Sequence, residues 1–197
     1  MTTLPPPKVF EQDCGKLADS YLDHILLALD VEDRGAPYRT FFDNWYAYQR
    51  GEHHLTSGGR PIWFNNPCAQ KHHMALSAMH FVSTGSEQVL EMSYSHPDAY
   101  RRAREDKTKS VRLMIDHATP IRVLVADLSF ERPRTRDDLR AYLNANYRLG
   151  LITWEEEARL RRAGFVSSVP DLWDGSPFAR YAHAKITSSA SGCEVPA

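Results

Sequence analysis

The chain has no uninterrupted apolar run of about 18 residues, which excludes a bilayer-spanning helix. Cysteine is scarce: 3 residues, Cys14, Cys68 and Cys193. An odd, widely spaced set makes no disulfide framework, and free thiols in a reducing cytoplasm are expected. Strong charge of either sign is missing too, with 24 Lys/Arg against 25 Asp/Glu and a net charge of −1. That balance argues against a dedicated basic DNA-binding domain. No Walker A loop, GxGxxG, GxSxG or HExxH occurs, so nucleotide hydrolysis, Rossmann redox chemistry and the common hydrolase mechanisms gain no support. Internal repeats are absent. The opening Met-Thr-Thr-Leu-Pro-Pro-Pro-Lys lacks a signal-peptide core and reads as a loose arm. A cytoplasmic protein is the expectation.

What is present is an ordinary globular composition, 42% hydrophobic and 25% charged. At 197 residues the chain can bury roughly two-thirds of its unfolded surface without staples. The expected layout is an arm over 1–12, one globular domain over 13–186 and a disordered tail over 187–197. Within the domain, 13–96 is an acidic helical half and 97–186 a basic half. Residues 1–97 hold 7 Lys/Arg and 11 Asp/Glu, and residues 98–197 hold 17 and 14. A polyanion would therefore meet the second half.

Periodicity predicts a largely helical chain with a few short strands in its middle, an α+β fold. Asp13 to Asp30 carries Leu17, Tyr21, Ile25, Leu26 and Leu29 at helical spacing. Tyr38 to Gln49 follows, with Phe41, Phe42, Trp45 and Tyr48 on one stripe that reads as core. Residues 51–66 read as loop, with a short strand at Ile62–Phe64. Asn66 and Pro67 open a helix expected to run to about Val82. Ser86 to Tyr94 is expected as a strand, Pro97 to about Lys109 as a helix, and Val111 to Ile115 as a buried strand. Thr119-Pro120 opens a further helix. Thr135 with Asp138, and Thr153 with Glu156, have capping-box spacing. Pro177–Ala184 reads as a short last helix.

The segment Asp116-His117-Ala118-Thr119-Pro120 carries the clearest chemistry. An acid and a histidine end an apolar strand beside a helix N-terminus, where anions are favoured. Neutral imidazole serves as a general base near pH 7, and a carboxylate beside it can hold a divalent cation. This string resembles the first motif of the HNH, or ββα-metal, nucleases, in which an Asp-His or Glu-His pair ends a strand and proline follows. Leu151-Ile152-Thr153 with Glu155, Glu156 and Glu157 resembles the strand-to-helix joint that closes the motif. The resemblance implies His117 as general base and Asp116 as metal ligand. It puts Glu157 where the family has its last metal-binding histidine. Mg²⁺ or Mn²⁺ would be the cofactor and nucleic acid the partner. The resemblance covers about 50 residues. The family's middle asparagine has no counterpart in a loop, since Asn144 and Asn146 fall in an expected helix, and Ile121 to Leu149 is a long insertion.

Leu149 to Thr153 has a second reading. Gly150 can end one helix while Thr153 caps the next, making 135–164 a helical hairpin with Glu155, Glu156 and Glu157 in a first turn. Arg101, Arg104, Arg112 and Arg180 are candidate phosphate contacts. For the first two, a solvated helix face is the plainer account, because Glu105 and Asp106 are interleaved. His53, His54, Cys68, His72, His73 and His80 include pairs on shared helical faces, but without CxxC they read as packed or solvated histidines rather than zinc ligands. Trp173, Phe178 and Tyr181 in the closing loop read equally as packing over the core or as the wall of a site. The alternative function is a non-enzymatic regulator or inhibitor. It would bind a protein partner through the acidic first half, with Phe41, Phe42, Trp45, Tyr46 and Tyr48 as anchors.

Overall fold

In the computed structural model, which describes residues 13–51, 76, 78–108, 111–170 and 175–189, four helices start at a capping side chain, Asp13, Ser83, Thr135 or Thr153. The Asp13 carboxylate accepts the Lys16 amide and opens α1, Cys14–Asp30. Its buried stripe of Leu22 and Ile25 packs on α2, Tyr38–Gln49. Every residue from Phe42 to Tyr48 is buried in α2, so the aromatic stripe expected as core is core. Tyr46, counted among possible partner anchors, is enclosed and donates its hydroxyl to Ala78 O at 2.8 Å.

Two expected elements change type. The helix expected to reach Val82 has given way by Phe81, because Phe81–Val82 forms strand β1. Its remaining start, with Asn66, Pro67 and the Ile62–Phe64 strand, lies outside the described residues. The strand expected over Ser86–Tyr94 is instead helix α3, Thr84–Ser95. Ser83 caps it by accepting the Ser86 amide at 3.0 Å. The buried positions are Ser86, Val89, Leu90 and Ser93, an i, i+3, i+4, i+7 set. Small serines complete a helical stripe that Val89, Leu90 and Met92 alone do not reveal. Helix α4 runs Pro97–Glu105 and stops short of Lys109, with Lys107 in the left-handed region at φ 55°.

Strand β2 is Leu113–His117, two residues later than expected, so Asp116 and His117 lie inside it rather than beyond it. Helix α5, Ile121–Glu131, begins at Pro120, and Thr119 makes no side-chain cap for it. Both capping boxes are present, opening α6, Arg136–Asn146, and α7, Trp154–Arg162. Between them Leu149–Thr153 is strand β3, which overturns the helical-hairpin reading of 135–164. Helix α8, Ala179–His183, closes the described chain.

The sheet has the order β1-β3-β2, with β1 parallel and β2 antiparallel to β3. All of β3 is buried. Alternation along the strands splits the core. Leu113, Ile115, Leu149 and Leu151 face the helical half, α1 to α6. Met114, Ile152 and Phe81 face a smaller cluster with Leu160, Phe178 and Tyr181. Each fully buried leucine or isoleucine contributes roughly 1.5–3 kcal/mol. The architecture is α+β, and among the described residues no helix is long and apolar enough to cross a membrane.

Candidate functional site

Strand geometry separates the Asp-His pair. Consecutive residues of a strand point to opposite faces, and Asp116 and His117 meet different side chains. His117 is 6% exposed and faces the helical half. Its Nε2 lies 2.8 Å from Asp43 Oδ1, on α2. The Tyr147 hydroxyl donates to the same Asp43 oxygen at 2.7 Å and sits 3.4 Å from His117 Nε2. Arg39 Nε stands 3.8 Å from Asp43 Oδ2, one helical turn away. Burial, then the Asp43 charge, pushes the Tyr147 phenol well above its ordinary pKa, so it stays protonated and a donor.

Asp116 faces the other way. Its Oδ2 accepts from Arg180 Nη2, and from the Tyr181 hydroxyl at 2.8 Å. Arg180 also donates through Nε to Ala118 O at 2.7 Å, through Nη1 to Phe165 O at 2.5 Å, and through Nη2 to His117 O. With a side chain 1% exposed, Arg180 is an internal tie, and these bonds occupy the guanidinium that the sequence suggested for phosphate. Gly150 makes room for this arrangement. It pairs with Asp116 across the sheet, and a Cβ there would meet the Tyr181 hydroxyl at 2.5 Å. Tyr181 is held well above its ordinary pKa by burial first, with the Asp116 charge adding to it.

Glu157 lies in the first turn of α7 and is buried, with Oε1 accepting from Arg161 Nη2 at 2.6 Å. In the register Thr153 pairs with Leu113 and Leu149 with His117. Helix α7 therefore departs about 13 Å along β2 from His117. Among the described residues no three His, Cys, Asp or Glu side chains converge as a metal would require. The other arginines are scattered. Arg101 pairs with Asp98 at 2.8 Å, both exposed. Arg104 lies over Tyr100, and Arg112, at the Thr153 end of the sheet, lies over Trp154. Of the residues weighed as zinc ligands, His80 is described. Its Nδ1 accepts the Leu149 amide at 3.1 Å, and it holds the start of β3. His53, His54, Cys68, His72 and His73 lie outside the described residues.

Two further polar ties hold helix starts elsewhere in the fold. The Glu156 carboxylate takes the Thr153 amide at 2.8 Å and the Ser83 hydroxyl at 2.5 Å, so one acid serves the starts of both α3 and α7. Thr187 and Ser189, within the expected tail, bond Thr84 and Glu87 of α3. Sequence reading did not single out Asp43 or Tyr147. A signal for Asp43 was present: an acid in the string Phe-Phe-Asp-Asn-Trp-Tyr has apolar neighbours on every side of a helix. A buried acid requires partners within the protein. No protein-family model, curated protein or solved structure matches this chain.

Proposed function

We propose that the protein hydrolyses phosphodiester bonds in nucleic acid, with His117 as the general base. The observation that carries this reading is the His117 imidazole, at the end of the first strand of a β2–β3–α7 unit, in contact with a carboxylate at 2.8 Å. Two antiparallel strands and a following helix suit the HNH-like resemblance of residues 113–162, with α5 and α6 inserted between the strands. His117 would take a proton from water as the water oxygen bonds to phosphorus and the bond to the leaving oxygen breaks. Mg²⁺ or Mn²⁺ belongs to the proposal as the ion that Asp116 and Glu157 would hold. The present geometry does not suit it: Asp116 is tied to Arg180 and Tyr181, Glu157 is tied to Arg161, and the two acids do not converge with a third ligand among the described residues. At 6% exposure, His117 also requires the structure around it to open before a substrate arrives.

The test is incubation of the purified protein with plasmid DNA and with RNA in Mg²⁺ or Mn²⁺. The expected result is cleavage that His117→Ala abolishes while the variant keeps a cooperative unfolding transition. Intact substrate with wild-type protein across both metals would sink the proposal.

A further inference from the structure

We infer that Asp43 is a positioning residue that fixes His117 in its Nε2–H tautomer. As it concerns catalysis, this inference rests on the reading of His117 as a base; the tautomer itself stands on geometry alone.

A neutral imidazole has one donor nitrogen and one acceptor nitrogen. Which is which follows from the partner. A carboxylate oxygen only accepts, and Asp43 Oδ1 lies 2.8 Å from His117 Nε2, so Nε2 must carry the hydrogen. Tyr147 cannot reverse this assignment. It has one hydroxyl proton, it remains a phenol, and it gives that proton to Asp43 Oδ1 at 2.7 Å. Arg39 adds positive charge at 3.8 Å from the other carboxylate oxygen, favouring the acceptor form of Asp43. The side chains of Asp43 and His117 are 5% and 8% exposed, so water competes little for these bonds. Asp43 comes from α2, some seventy residues before β2, so no motif within 113–162 contains it.

The experiment is two-bond ¹H–¹⁵N correlation spectroscopy on protein labelled at the histidine ring nitrogens. It is recorded at about pH 8, above the ordinary imidazole range. His117 is assigned by the signal lost in His117→Gln. The expected pattern is Nε2–H in wild type, displaced in Asp43→Leu, which removes the acceptor. An Nδ1–H pattern in wild type, or an unchanged Nε2–H pattern in Asp43→Leu, overturns the inference. Where the wild type cleaves nucleic acid, Asp43→Asn should lower kcat by about 100-fold with KM within about twofold, and Asp43→Glu should recover part of it. An unchanged kcat counts against the positioning role. If the wild type cleaves nothing, the functional proposal falls, and the tautomer spectra still decide this inference.

Discussion

Asp116 and His117 are neighbours in sequence and strangers in space. His117 is gripped from the helical half, by Asp43 on α2 and by Tyr147 just before β3. Asp116 is gripped from the chain's end, by Arg180 and Tyr181 of α8. The strand between them is a partition, with one polar network on each face. A dipeptide that reads as one site at a strand end becomes two within the strand, because the side-chain period is 2. The lesson concerns polarity as well as position. The Asp116 network contains a buried guanidinium tied to three backbone carbonyls, and the His117 network a carboxylate shared by an imidazole and a phenol.

The harshest way to break one face and spare the other is Arg180→Met. It leaves Asp116 without its buried cation and the carbonyls of Ala118, Phe165 and His117 without their donor. Urea denaturation should register a loss of about 3–5 kcal/mol. A loss below about 1 kcal/mol would mean that Arg180 is no internal tie. Gly150→Ala attacks the same face without touching charge. The new methyl meets the Tyr181 ring, which is 1% exposed and has little room to shift. A cost of about 1–3 kcal/mol is expected from thermal or urea unfolding.

The other side is sharpened by pH. His80, beside Tyr46 at the start of β3, has its pKa lowered to about 4, chiefly by burial, with Arg148 and Arg50 adding to it. An unfolded histidine takes its proton near pH 6.5. Between about pH 6.5 and 4 the unfolded chain therefore holds more protons than the folded one. Stability contributed by neutral His80 is present above that window and falls as pH falls through it. His80 as a whole stays solvent-exposed, so the effect is the smallest of these. His80→Gln should flatten the pH dependence of the unfolding midpoint in that window, and an unchanged slope would assign the lowered pKa no weight in folding.

Much of the fold was legible because local rules and packing agree. The α2 limits, Tyr38 and Gln49, follow from the aromatic period and the Gly51 beyond it. Thr135 and Thr153 start their helices where the capping boxes put them. What escaped was decided at a distance. Thr84–Ser95 is helical because two serines pack like core residues, and a two-residue strand at Phe81–Val82 exists only because β3 pairs with it. Leu149–Thr153 admitted two readings locally, and the ladder with β2 chose between them. The candidate site was legible as residue types and not as geometry. A dipeptide says nothing of which face it presents, and Asp43 and Arg180 reach it from opposite ends of the sequence.

The most direct test of the partition is a pair of double-mutant cycles on unfolding free energy. Asp43→Ala combined with His117→Ala should couple by more than about 1 kcal/mol, because each removes half of one bond. Asp116→Ala combined with His117→Ala should be additive within about 0.5 kcal/mol, despite adjacency in the chain. Coupling between Asp116 and His117 as large as that between Asp43 and His117 would contradict the account.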